Sequence, residues 1–168
     1  MSHANSADGP LAPFEAVWAQ VLTLSPAARA MFALACAERL VRAAGRADEL
    51  RATLEAGWAV AGGGSADLAP LRSELDVRED LDDDDLAATY YALGAATGSA
   101  EDCRAAASRA MDAAFELVPY GPDETTFHPL ADDAASPPVQ AELAWQQAAA
   151  AKLVADGPTD AVAVWLRQ

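Results

Sequence analysis

Alanine fills 44 of the 168 positions of this chain, and no segment shows the alternation of apolar and polar residues that is typical of a strand. Alanine has the highest helix propensity of all residues and is depleted in strands. We therefore expect an all-α fold, a single-domain antiparallel bundle of about six to eight helices. The expected domain covers residues 13–168 and follows a disordered N-terminal lead at residues 1–12.

Capping residues and helix breakers predict where the helices begin and end. Ser25 followed by Pro26 predicts an N-cap and a first helical position, and the apolar periodicity continues to Ala44 before Gly45 closes the helix. Residues 120–136 are predicted to form the longest irregular stretch. The other predicted helix starts are Pro13, Ala47, Asp67, the carboxylates before Leu86, Ser99, Ser136 and Pro158.

Hydropathy and cysteine content indicate where the protein resides. The chain has no apolar run of membrane-spanning length, and its first residues lack both a basic and a hydrophobic segment, so we expect no membrane association and a cytoplasmic location. Cys36 and Cys103 fall in apolar helical stretches, which predicts reduced, buried thiols. The excess of Arg over Lys, 10 to 1, together with the abundant Ala, indicates a GC-rich coding sequence and a bacterial origin.

The strongest polar signal is an acidic run at residues 74–85, in which eight carboxylates accompany one cation, Arg78. Carboxylates are favourable at a helix N-terminus, so the run could simply solvate a loop and support the next helix. Acidic clusters also steer basic proteins, which makes the run a candidate docking surface. The candidate interface residues are Glu79, Asp80, Asp82, Asp83, Asp84 and Asp85.

Other chemistries have weaker support from the sequence. Asp80, Asp82 and Asp84 have the spacing of a calcium loop, but Asp85 occupies the position that requires Gly, and the closing Glu is missing. We therefore predict no metal and no cofactor. Nucleic acid is the least favoured partner, because the net charge is −15 and a single Lys is present. The arginines at residues 29–51 are instead expected to offset Glu38, Asp48, Glu49 and Glu55.

Isolated residues carry no specific catalytic pattern. Glu38 and Arg42 are spaced i and i+4, which predicts an ion pair on one helix. His128 lies in the predicted loop among acidic residues, where either local packing or a role as proton shuttle or ligand is compatible with the sequence. Tyr91 and Trp145 are the aromatic residues best placed to act as surface anchors. No catalytic residue is predicted.

Several stretches resemble the YjaG-like family, a bacterial family of all-helical proteins whose function is not established. Residues 32–39, with Phe32, Cys36, Glu38 and Arg39, are similar to a segment of that family's second helix. Residues 50–58, which end in Trp58, resemble the next helix, and residues 136–147 resemble a late helix with a Glu-Leu-x-x-Gln core. The resemblance covers roughly residues 14–147 and implies a helical fold without implying a substrate.

The sequence favours a non-enzymatic interaction protein, in particular an immunity-type inhibitor that binds a basic toxin or effector through its acidic face. Two alternatives stay open. One is an enzyme or small-molecule-binding bundle with an aromatic pocket between helices, and the other is a structural homo-oligomer that associates through alanine-rich faces.

Overall fold

A computed structural model describes residues 9–119 and 129–168, and within these ranges the chain is a bundle of nine helices without strands. The all-α, single-domain prediction is confirmed, with one helix more than the eight whose starts the sequence indicates. The helices are α1 (Ala12–Leu22), α2 (Pro26–Ala43), α3 (Ala47–Ala61), α4 (Ala69–Asp76), α5 (Asp84–Ala96), α6 (Ala100–Glu116), α7 (Leu130–Ala134), α8 (Pro137–Asp156) and α9 (Asp160–Leu166).

Helix α2 lies at the centre of the bundle, where it contacts α3, α5, α6, α8 and α9. Every residue from Ala30 to Ala37 is buried, so this part of the helix has no solvent-facing side. The alanines in this segment form methyl-lined faces that neighbouring helices can approach closely. The large side chains of Met31, Phe32 and Leu34 fill the remaining space. The alanine content thus supports a central helix that is surrounded by others.

A second apolar cluster connects α6 to α8. It contains Met111, Ala114 and Val118 of the α6 region and Val139 of α8, with Phe14 of α1 packed against it. This cluster holds the C-terminal half of α6 beside the N-terminal half of α8, and these two halves form part of the candidate site described below.

Most predicted helix ends agree with the structure. Ser25 caps α2, its Oγ accepting a hydrogen bond from the Ala28 N–H, and Ser99 caps α6 in the same way. Gly45 follows α2 with a φ of 75°, a conformation that glycine adopts without the strain a Cβ would cause. Helix α3 begins at Ala47 as predicted.

Three predicted boundaries need correction. Asp67 does not cap α4, because Leu68 is the N-cap and the Asp67 carboxylate accepts from Ala69 N–H in a local turn. The last helix begins at Asp160 under a Thr159 cap rather than at Pro158. Within the predicted irregular stretch, residues 130–134 form α7. The predictions for residues 1–8 and for 120–128, including His128, lie outside the described residues.

Both cysteines are free and buried, as predicted. Cys103 donates its S–H to the carbonyl oxygen of Arg29, and burial raises its pKa to about 12. Burial also raises the pKa of Cys36 well above its ordinary value, and the nearby Glu142 carboxylate adds to this effect. Both thiols therefore stay protonated at neutral pH.

In the part of the chain that the structure describes, no helix combines the length and the apolar character needed to cross a membrane.

Candidate functional site

The acidic run occupies the end of α4, the turn that follows and the first residues of α5. Arg78 lies within the run and donates to Asp80 through Nε and Nη2, at 2.8 and 2.9 Å, and to Glu49 of α3 through Nη1, at 2.6 Å. This hydrogen bonding to Arg78 lowers the pKa of Asp80 to about 2. The Asp80 carboxylate is thus held by its own turn.

Arg46, at the start of α3, joins the acidic run to the corner between α2 and α3. Its Nη1 donates to Asp80 at 3.0 Å and its Nη2 donates to Asp83 at 2.7 Å. Its Nε lies 3.6 Å from Oδ2 of Asp85. One guanidinium therefore faces three carboxylates that are 34 or more residues away in the sequence.

Asp84 and Asp85 form the first turn of α5, where carboxylates interact favourably with the helix dipole. Asp84 forms an ion pair of 3.3 Å with Arg109 of α6. The Asp85 side chain is only 7% exposed, and its Oδ2 accepts no hydrogen bond from residues 9–119 or 129–168. Burial raises the pKa of Asp85, an effect that the nearby Arg46 opposes.

The six candidate interface residues are therefore not equivalent. Asp80, Asp83, Asp84 and Asp85 face arginines of the same chain, whereas Glu79 and Asp82 are exposed and have no salt bridge to any residue in 9–119 or 129–168. The part of the run that can attract a partner is smaller than its formal charge indicates. The hypothesis that all six residues form a docking surface stays a prediction.

Four of these residues line a groove between α2, the start of α5, α6 and α8, with a volume of about 980 Å³. Among the described residues, seven carboxyl groups and two guanidinium groups border the groove, and the apolar lining residues are alanine, leucine and proline. The carboxyl groups belong to Asp82, Asp83, Asp84, Asp85, Asp112, Glu116 and Glu142, and the guanidinium groups belong to Arg39 and Arg109. We call this site the acidic groove.

Asp112 and Glu116 of α6 are further residues of the groove that the sequence pattern did not indicate. Both are exposed, and neither forms a salt bridge within the described ranges. The pKa of Asp112 is raised, first by loss of solvation and then by the like charge of Asp84, while Arg109 opposes the shift. Their i and i+4 spacing on the polar face of a helix could have indicated a shared surface. Only the packing of α6 beside α5 brings them to the acidic run.

Arg39 and Glu142, which also line the acidic groove, belong to a hydrogen-bonded network. Arg39 donates to Oε2 of the buried Glu142 at 2.7 Å, and its guanidinium lies 3.9 Å from the centre of the Trp145 ring. Gln146 donates through Nε2 to Oε1 of Glu142 and to the Ala107 carbonyl. Glu142 is therefore paired with Arg39 and held in place by hydrogen bonds.

The predicted ion pair between Glu38 and Arg42 is confirmed, with a distance of 3.3 Å. Glu38 also accepts a hydrogen bond from Trp58 Nε1 at 2.6 Å and pairs with Arg167 at 3.1 Å. These contacts tie α2 to α3 and to the end of α9, so the described partners of Glu38 give it a structural role.

The expected offsetting of charges by the N-terminal arginines is correct for two of the four carboxylates. Arg42 pairs with Glu38, and Arg51 pairs with Asp48. The other two carboxylates use arginines from later segments, because Glu49 binds Arg78 and Glu55 binds Arg167.

The two aromatic residues singled out as surface anchors are partly buried. The Tyr91 ring packs edge-to-face against Tyr90, with ring centres 5.5 Å apart, and Trp145 lies under Arg39. Their role as anchors for a partner stays a prediction.

The described part of the chain contains no group of three or more His, Cys, Asp or Glu residues able to hold a metal ion.

Comparisons with family models, with curated proteins and with solved structures find no match for this chain. The resemblance to the YjaG-like family thus stays a prediction, and the acidic groove itself is the basis for a functional proposal.

Proposed function

We propose that this protein is a non-enzymatic interaction protein that binds a basic protein in the acidic groove, and that it acts as an immunity-type inhibitor by covering a basic toxin or effector. The main support for the proposal is that Asp82, Asp112 and Glu116 line the same groove. These three carboxylates are without a salt bridge to the described residues, so their charge is available to a partner.

Electrostatics favours a basic partner over the two alternatives. Unpaired rim carboxylates accelerate encounter with a cationic surface by roughly 10- to 1000-fold at low salt. Self-association through this groove would instead bring like charges together in a chain whose net charge is −15. An aromatic small-molecule pocket also lacks support here, because no aromatic side chain is among the described residues that line the groove.

Site-specific photo-crosslinking can test the proposal even while the partner is unidentified. Ala141 is exposed and lines the groove, so we expect Ala141→p-benzoylphenylalanine to capture a basic protein in native cells. Val77, which is 81% exposed and lies outside the groove, provides the control position for the same crosslinker. Capture of the same protein from both positions would contradict the proposal.

The captured partner then allows a kinetic test with matched charge variants. We expect the groove variant Asp82→Asn, Asp112→Asn, Glu116→Gln to lower the association rate constant at low salt by about tenfold or more. The control variant Glu74→Gln, Asp76→Asn, Glu79→Gln removes the same charge from exposed residues outside the groove. Equal slowing by the two variants would show that the groove has no special role.

A further inference from the structure

The floor of the acidic groove is apolar, and binding of a partner through charges alone would not require such a floor. Ala110 and Ala114 of α6 are buried at its base, and Ala43 and Ala44 lie at the end of α2. Leu117, at the mouth of the groove, is 71% exposed. A leucine this exposed beside alanine methyl groups forms an apolar surface that water must solvate in the free protein.

The small side chains of the floor also determine what can approach it. Alanine allows the backbone of a neighbouring helix to come closer than larger side chains permit, so a helix fits against methyl-lined helices. Peptide recognition commonly places the apolar face of an amphipathic helix in a groove formed by other helices.

The charges at the rim have a helical spacing as well. Asp112 and Glu116 lie four residues apart on α6, which is about 6 Å along the helix axis. Two basic side chains one turn apart on a second helix have the same separation. The groove therefore offers an acidic rim above an apolar floor.

We propose that the element of the partner that enters the acidic groove is an amphipathic helix, whose apolar side chains pack on the alanine floor beside Leu117 and whose Lys or Arg side chains pair with Asp82, Asp112 and Glu116. This inference rests on the proposed function and adds the class of the ligand. A purely ionic contact with an extended basic segment is the competing outcome.

Three synthetic peptides of equal length and equal positive charge test the inference. The first is a Leu/Lys peptide with its leucines on one helical face, the second has the same composition with the leucines spread around the helix, and the third has Ser in place of Leu. We expect the first peptide to bind the full chain roughly tenfold more tightly than the other two, since burial of one leucine side chain can account for such a factor. Titration calorimetry measures the three dissociation constants.

Variants of the protein locate the binding. We expect Leu117→Ser to weaken binding of the first peptide by about tenfold and to leave the third peptide unchanged. Val77→Ser, a change at a more exposed apolar residue outside the groove, is the control. Far-UV circular dichroism verifies that each variant is folded.

The outcomes separate this inference from the proposed function. Equal affinity for all three peptides, with loss of binding in the groove charge variant, would overturn the amphipathic helix and leave the basic-partner proposal standing. Binding that is insensitive to the groove charge variant would contradict the proposed function itself. Failure of the first peptide to bind at concentrations up to about 1 mM, which corresponds to a very weak interaction, would overturn the inference.

Discussion

Gly94 provides the space for a charged side chain inside the helical bundle. A Cβ at this position of α5 would clash with Oδ2 of Asp102 and would lie 3.0 Å from Cζ of Arg72. Asp102 pairs with Arg72 at 3.0 Å, and the Arg72 guanidinium lies 4.2 Å from the centre of the Tyr90 ring. The missing side chain of Gly94 thus allows α4, α5 and α6 to meet around one ion pair.

We predict that Gly94→Ala lowers the free energy of unfolding by about 1–2 kcal/mol, because the overpacking and the weakened ion pair exceed the gain of about 1 kcal/mol in helix propensity. In an Asp102→Ala background the clashing carboxylate is gone, so the same substitution should be neutral or stabilising. A double-mutant cycle by urea denaturation measures both effects. A similar loss in the two backgrounds would show that the clash with Asp102 is not the cause.

Serine residues stand at the N-terminal ends of three helices, but their hydroxyl groups differ in hydrogen bonding. Ser25 and Ser136 both precede proline at a helix start, and both have the extended backbone of an N-cap. Ser25 Oγ accepts a hydrogen bond at 3.2 Å from the Ala28 N–H, and Ser99 Oγ accepts one at 3.1 Å from the Asp102 N–H. The Ser136 Oγ is buried and forms no hydrogen bond with the residues that the structure describes. The sequence identifies all three starts but not which hydroxyl forms a cap.

We predict that Ser25→Ala and Ser99→Ala each lower the free energy of unfolding by about 1 kcal/mol, the usual value of an N-cap hydrogen bond. Ser136→Ala should leave the free energy of unfolding unchanged or raise it, since the buried hydroxyl forms no hydrogen bond with the described residues and its burial is itself unfavourable. Chemical denaturation of the three variants gives the comparison. A loss at Ser136 as large as that at Ser99 would indicate a cap that the structure does not contain.

The acidic run contains two kinds of carboxylate, and their protonation changes the stability of the whole molecule in opposite directions. Hydrogen bonding to Arg78 holds the pKa of Asp80 at about 2, below its ordinary value of 3.8. The folded state therefore favours the charged form, and this contribution to stability is complete above the ordinary pKa and is lost as pH falls towards 2. Asp85 and, beside the run, Asp112 have raised pKa values, so their protonation on acidification favours the folded state.

We predict that the melting temperature of the protein falls between about pH 4 and pH 2, and that Asp80→Asn reduces the steepness of this fall. Asp82→Asn is the matched control, because Asp82 is exposed and has no salt bridge to the described residues. Thermal denaturation at a series of pH values measures the three profiles. Identical slopes for the wild type and Asp80→Asn would contradict the role of the Arg78 contact.

The helical class and most helix ends could be read from the residues alone, because these depend on local propensity, periodicity and capping. The ion pair between Glu38 and Arg42 was also predictable, since a single helix places residues i and i+4 together. The buried state of Cys36 and Cys103 followed from the apolar character of their helices.

Which carboxylates face the same space depends instead on how the helices pack. Arg46 meets Asp80, Asp83 and Asp85 from a distant helix corner, and this reduces the charge that the acidic run presents to a partner. Asp112 and Glu116 join Asp82 because α6 packs beside the start of α5. These contacts depend on the angles at which the helices cross. The crossing angles depend in turn on the shapes of the packed helix faces, which bring together residues far apart in the sequence.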